Sequence, residues 1–405
     1  MSRIVPFRAV RAASAVAPQV IAPPYDVMSE AEARAIVAAN PHSFVRVSRP
    51  ESVMPSGADS HAPEAYATAR AQVEAMFAEG LLTQDDTPSY YLYGQTWRGR
   101  TQIGLVAGFS VDEYDAGLIK KHEFTRPDKE KDRVDHIDAT GLQSGMVFLA
   151  YRDSAALNAC ISRLAQAVPE WRVATEDEVE HVLWRVSDPT DVAAVTAAAA
   201  ELPHVYVADG HHRSAAASIV HRQRSGRPGT HGAFLAGLFP ASSLEILAYN
   251  RAVRDLNGHT SASLLASIAA HYDVAPAEGP VPAARGNVTM YLDGSWHLLT
   301  ARDVPADPVA RLDVSILQDR VLRPLLGIDN PRTDKRIDFI GGIRGWAELV
   351  KLVDAGTHAV AFHMYPTSLG ELFDVADSGQ VMPPKSTWFE PKLRDAVAMH
   401  RIDPE

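Results

Sequence analysis

Six consecutive residues, Ala208-Asp209-Gly210-His211-His212-Arg213, hold the densest chemistry of the 405-residue sequence. They follow the apolar run His204-Val205-Tyr206-Val207 and precede the Ala-rich Ser214-Ala215-Ala216-Ala217-Ser218-Ile219-Val220. That order predicts a strand, a Gly turn and a helix start, where free backbone N–H groups meet the positive end of a helix dipole. Anions collect at such a point. Asp209 offers a carboxylate that can hold a metal or take a proton, Gly210 lets a ligand approach the backbone, and His211, His212 and Arg213 add side-chain donors. The same six residues also make an ordinary Asp-Gly turn with a His pair capping a helix or facing solvent, so their company elsewhere in the chain matters.

That company stands between Gly117 and Gln143, where Lys120, Lys121, His122, Glu123, Thr125, Arg126, Pro127, Lys129, Asp132, Arg133 and His136 crowd together. A helix begun at Thr125 or Arg126, with Pro127 in its first turn, puts Arg126, Lys129, Arg133, His136 and Thr140 on one cationic stripe. Asp128, Glu130, Lys131 and Asp135 then mix signs on the other side, as solvent faces do. The stripe reads as a polyphosphate clamp or as a surface feature that balances neighbouring carboxylates. In the first reading Glu123 is the expected proton acceptor for a hydroxyl, with His122 the second choice. Three weaker patterns join these: the stiff turn Pro23-Pro24-Tyr25-Asp26-Val27, the Gly-rich Gly341-Gly342-Ile343-Arg344-Gly345, and the rigid loop Pro383 to Lys392, with Lys385 and Ser386 directed and Trp388 and Phe389 packed.

The elements that must carry these residues follow from hydrophobic period. Ser29-Glu30-Ala31-Glu32 opens a helix with a capping box, and residues 63–79 carry a long Ala-rich helical pattern. Residues 89–95 and 102–109 read as strands of a hairpin turned at Arg98-Gly99-Arg100. Helix and strand then alternate from 150 to 240. Residues 261–271 predict a helix, 287–292 and 296–299 a hairpin around Asp293-Gly294, 337–340 a strand, 346–355 a helix and 359–364 a buried strand, with a Pro- and Ala-rich loop at 275–285. The expected class is mixed α/β. Three regions are expected: 1–150 with the cationic helix 125–140, 151–258 with the Asp209 turn, and 259–405, or else one intertwined unit.

Composition narrows the function. With 46% hydrophobic and 22% charged residues the chain reads as an ordinary soluble protein, and no apolar run approaches a membrane span. The net charge of −11 argues against general nucleic-acid binding. The single Cys160 allows no disulfide within the chain and reads as a small hydrophobe on an amphipathic helix. Met1-Ser2-Arg3-Ile4-Val5-Pro6-Phe7 lacks an apolar signal core, so a cytoplasmic protein is expected.

With these residues in view, the chain resembles the prokaryotic family named domain of unknown function 1015 over nearly its whole length. The resemblance rests on Ala22 to Val27, Gly117 to His136, Ala208 to Arg213, Tyr249-Asn250-Arg251, Arg336 to Gly342 and Met382 to Leu393. The Asp209-Gly210-His211-His212-Arg213 turn is similar to the signature of the ParB/sulfiredoxin-like superfamily, which implies a phosphate-binding core embedded in a larger mixed-sheet protein. Sulfiredoxin chemistry needs a cysteine where this chain has His211, and chromosome partition implies a basic helix-turn-helix domain that the acidic remainder does not offer. The kinases of free serine survive that comparison.

The resemblance therefore implies a phosphotransferase that moves a phosphoryl group from ATP, ADP or pyrophosphate to a small hydroxylated metabolite, serine first, with Mg²⁺ or Mn²⁺. Gly210, His211, His212 and Arg213 would hold the donor, Asp209 the metal, and Arg126, Lys129 and Arg133 the developing charge. Glu123 would be the base, Lys120 and His136 would support, and Asn250 with Arg251 would contact the acceptor. A phosphohydrolase on a small phosphorylated metabolite or nucleotide and a non-catalytic nucleotide sensor are the alternatives. Neither nucleic acid nor a membrane is an expected partner.

Overall fold

The computed structural model describes residues 3–404 and divides into two compact units, one up to Leu244 together with the segment from Pro391 onward, the other Glu245–Glu390. The two-unit division departs from the three regions drawn from sequence. No border falls near residue 150, because strands from both sides of it share one sheet.

In the first unit nine strands form a mixed sheet: β1 (Ile4–Val5), β2 (Tyr90–Trp97), β3 (Arg100–Ser110), β4 (Ile119–Lys120), β5 (Val147–Tyr151), β6 (Trp171–Ala174), β7 (Glu180–Val186), β8 (Val205–Asp209) and β9 (Ala233–Pro240). Their order is β4-β8-β5-β9-β3-β2-β7-β6, with β1 beside β3. The β2–β3 hairpin turns at Arg98 and Gly99, both at positive φ, as the sequence predicts. Parallel pairs β4–β8 and β5–β9 are inserted among antiparallel ones, so the strand that ends in Asp209 lies between β4 and β5. Its core is apolar on both sides of the border once expected at 150, from Leu92, Leu105 and Phe109 to Leu149, Val207 and Leu238. Cys160 packs against this core from the helix Ala155–Leu164, as its small apolar character predicts.

Two helices of this unit position the site. Helix α1 (Pro127–Thr140) starts with Arg126 as N-cap residue and Pro127 in its first turn, and ends at Gly141 in the left-handed region. Helix α2 (His211–Gln223) starts directly after Gly210 and thus three residues earlier than the Ala-rich run alone marks. Val134 and Ile137, three apart on α1, bury against Ala216 and Val220, four apart on α2. This apolar seam brings the segment at 120–136 beside the turn at 209–213.

The second unit is built on a six-stranded antiparallel sheet of β10 (Tyr249–Val253), β11 (Tyr272–Pro276), β12 (Asn287–Leu292), β13 (Ser295–Ala301), β14 (Ile337–Gly341) and β15 (Val360–Met364), ordered β11-β13-β12-β15-β10-β14. Asp293 and Gly294, both at positive φ, make the predicted β12–β13 turn. The loop expected at 275–285 begins later than read, because Ala275 and Pro276 still pair with β13. Gly341 serves packing: a Cβ there would lie 2.7 Å from the Trp388 ring. Among the described residues no helix is long and apolar enough to cross a membrane.

Candidate phosphate site in the first unit

The turn after β8 has the geometry the residues call for. Gly210 sits at φ +92°, a conformation that strains any side chain, and a Cβ there would also press on the Arg213 guanidinium at 3.0 Å. Asp209 Oδ1 accepts the Gly210 N–H at 2.8 Å, and Oδ2 accepts from Lys392 Nζ at 2.9 Å. Burial alone would raise the Asp209 carboxyl, but Lys392 and Arg213 beside it hold it well below the usual carboxylate range. Asp209 is thus a fixed anion whose charge is met by two cations. A divalent ion at this carboxylate would lie against the Lys392 ammonium, so these residues do not fit the metal expected on Asp209.

Arg213 reaches from the first turn of α2 to donate to the Met146 carbonyl. Arg133 reaches from α1, donates twice to Asp132 at 2.7 and 3.0 Å, and lies 3.8 Å over the Tyr25 ring. Both guanidiniums line one cavity of about 30 Å³, room for a water and little more, together with Tyr25, His136, Gly145 and Asp395. Gly145 permits this crowding, since a Cβ would lie 2.6 Å from Asp395 Oδ1 and 3.5 Å from Arg213. Asp395 is anchored by a backbone bridge to Ala22, which also fixes the loop that presents Tyr25. Asp395 is 2% exposed, its Oδ1 has no hydrogen-bond partner, and burial pushes its carboxyl up to about 7 although Arg213 works against the rise.

The cationic stripe of α1 divides. Arg126 spreads its guanidinium over Asp128 in solvent, and only its backbone N–H enters the site, donating to His212 Nε2 at 3.0 Å. That bond makes Nε2 the acceptor and leaves the His212 proton on Nδ1. Lys129 is partly exposed and does not line the cavity. His136 is buried, hydrogen-bonded to the Val47 carbonyl at 2.9 Å and pushed down to about 4 by burial. Lys120 pairs in register with Tyr206 of β8.

His122 and His211 meet edge to face, ring centres 4.6 Å apart, and Glu123 brings its carboxylate to them: one ligand atom from each of the three lies within 4.8 Å of the others. Burial pushes His122 down to about 4 and holds His211 well below its ordinary value, with His122 adding to the effect on His211.

Asn250 and Arg251 belong to β10 of the second unit. Asn250 Oδ1 accepts the Met364 N–H at 3.0 Å, while its buried Nδ2 has no partner. Arg251, 3% exposed, donates to the carbonyls of Tyr249 and, at 3.1 Å, Lys385. Burial without a carboxylate partner pushes it down to about 10. Lys385 thus contributes a carbonyl, and its φ of 58° marks the bend of that loop.

Sequence reasoning missed Lys392, Asp395 and Tyr25 as members of the site, although Lys392 closed a motif already singled out and Tyr25 lay in another. A second cavity of the first unit, about 510 Å³ and lined by Phe7, Arg8, Thr230 and Arg401 among others, contains none of the expected residues.

The chain belongs to the family described as "Protein of unknown function (DUF1015)", whose model matches residues 4–315. A search of curated proteins finds no match. Among solved structures, a free serine kinase in complex with AMP is 12% identical, with 71% of this chain and 86% of that one covered and a TM-score of 0.34. SbnI with a C-terminal truncation, from Staphylococcus aureus, is 12% identical over 71% and 84% of the two chains at 0.37. A conserved hypothetical protein from Pyrococcus furiosus is 13% identical over 72% and 93% at 0.34. Likeness at this level does not say what this chain binds.

Proposed function

We propose that this protein is a phosphotransferase that moves a phosphoryl group from a nucleotide or pyrophosphate to a small hydroxylated metabolite, with free serine as the first acceptor. The observation that carries the reading is the meeting of Arg133 and Arg213, 80 positions apart in the sequence, on one cavity at the start of α2. Such a pair matches the spread charge of a transferring phosphoryl group, and the Gly210 turn adds backbone donors at a helix N-terminus. The resemblance of this turn to the ParB/sulfiredoxin-like signature supports the same assignment.

In the proposed step the acceptor's hydroxyl oxygen attacks the terminal phosphorus and its proton passes to the Glu123 carboxylate. The bond to the leaving phosphate oxygen breaks, and Arg213, Arg133 and Lys392 meet the charge left on it. Lys392 takes the place proposed from sequence for a metal on Asp209. The cavity as it stands admits water, so phosphate entry has to widen it. In the second unit, Arg251 is a buried cation with no carboxylate partner among the described residues, which fits recognition of a carboxylate ligand there.

Incubation of the purified protein with serine and ATP, ADP or pyrophosphate, followed by ³¹P NMR, tests the reading. Phosphoserine from one donor is expected, and no phosphoserine from any of them contradicts the serine assignment. Phosphate released without acceptor would instead identify a phosphohydrolase, and a raised melting temperature without product a nucleotide sensor.

A further inference from the structure

Buried imidazoles are ordinarily hydrogen-bonded, because an unmet polar nitrogen away from water costs about 1–3 kcal/mol. His122 and His211 break that rule side by side. The Val207 backbone is a polar neighbour of His122, yet neither of its ring nitrogens makes a hydrogen bond of ordinary geometry, and Nε2 of His211 is likewise unmet. The rings are 2% and 5% exposed residues packed at 88° to each other, an arrangement with no hydrogen bond between them to justify it.

We propose that His122, Glu123 and His211 bind one divalent transition-metal ion of the Zn²⁺ and Co²⁺ type. Two imidazoles on one such ion, with metal–nitrogen bonds of about 2.0–2.1 Å and bond angles from about 90° to about 110°, hold their ring centres from about 4.5 to about 5.2 Å apart, the shorter value at the narrower angle. The observed separation is 4.6 Å. Two nitrogens and one carboxylate oxygen form a donor set suited to zinc, cobalt or ferrous iron and poorly suited to Mg²⁺, which prefers oxygen and water.

This site shares Glu123 and His211 with the residues proposed for phosphoryl transfer, but ion binding does not depend on that transfer. Where both hold, the Glu123 carboxylate is withdrawn from proton acceptance while the ion is bound, so metal loading slows transfer.

Calorimetry of the chelator-treated full chain with Zn²⁺, and the visible absorption of the Co²⁺ form, test the proposal without donor or acceptor. One ion per chain is expected, with nitrogen-and-oxygen ligand bands for Co²⁺. His211→Ala and Glu123→Gln should each weaken binding at least about 100-fold, beyond the 10–100-fold loss that follows removal of an outer-shell partner. Glu123→Gln guards against misfolding of the buried variant. The competing pair is His221 and His231, whose Nδ1 atoms lie 2.9 Å apart. Binding unchanged in Glu123→Gln, binding lost instead in His231→Ala, or no Zn²⁺ bound would each overturn the assignment.

Discussion

The two units bury positive charge in opposite ways. In the first, Arg133 is paired with Asp132, Lys392 with Asp209, and Arg213 stands among Asp209, Asp26 and Asp395. In the second, Arg251 is held by neutral carbonyls, and among the described residues no carboxylate answers it. Paired cations can be preorganised toward a polyphosphate, whereas an unanswered buried cation gains most from a ligand that brings the missing anion. In the proposed reading the contrast marks the first unit for phosphate binding and leaves Arg251 as a separate anion-binding candidate of the second.

Substitutions that strike one side should separate the two roles. Arg213→Ala should lower kcat/KM by about 10²–10³, as loss of a preorganised donor does, and Glu123→Gln should lower kcat by about 10²–10⁴ with little change in donor binding. A steady-state series with serine and the preferred donor reads both. Arg251→Met should leave donor binding unchanged and weaken serine binding in calorimetry about tenfold or more, and it should cost about 1–3 kcal/mol of stability because the Tyr249 and Lys385 carbonyls lose their donor. Equal effects on both substrates would break the contrast.

Stability sharpens it further. Lys392→Met strips Asp209 of an ion pair whose members are less than a third exposed, and denaturant unfolding at pH 7 should show a loss of about 1–3 kcal/mol. The Asp209 carboxyl is depressed in the fold, so this contribution is present above the ordinary carboxylate pKa and disappears as pH falls. Asp395 has the opposite sign. Folding holds its proton up to about pH 7 while the unfolded chain releases it near its ordinary value, so stability from this group falls as pH rises across that window. Asp395→Asn should flatten that slope. Arg126→Ala, removing an exposed pair with Asp128, should change donor binding less than about threefold.

How far the chain announced this arrangement differs from element to element. The Asp209 turn was readable because Gly210 interrupts an apolar run before an Ala-rich one, a purely local pattern. Helix α1 was readable from Pro127 and the spacing of its charges, but the spacing could not say which members face inward. Burial of Val134 and Ile137 decides that, and it turns Arg133 and His136 toward the cavity while Arg126 stays in solvent. Lys392 and Asp395 were out of reach of local reasoning, since they enter the site only because the chain returns to the first unit after residue 390. Their nearest signal was the rigid loop before them, whose Lys385 and Ser386 drew the attention that belonged to Lys392. The His122–Glu123–His211 group was visible as candidate bases, but its unmet nitrogens appear only once the rings are packed.

The claim on which the rest depends is that Arg133 and Arg213 hold the same phosphate. A double-mutant cycle in pyrophosphate and ADP affinity, with Arg133→Ala, Arg213→Ala and the pair measured by calorimetry, tests it most directly. Sharing predicts a coupling energy of about 1 kcal/mol or more between the two guanidiniums. Strictly additive losses, or affinities that neither substitution changes, would contradict it.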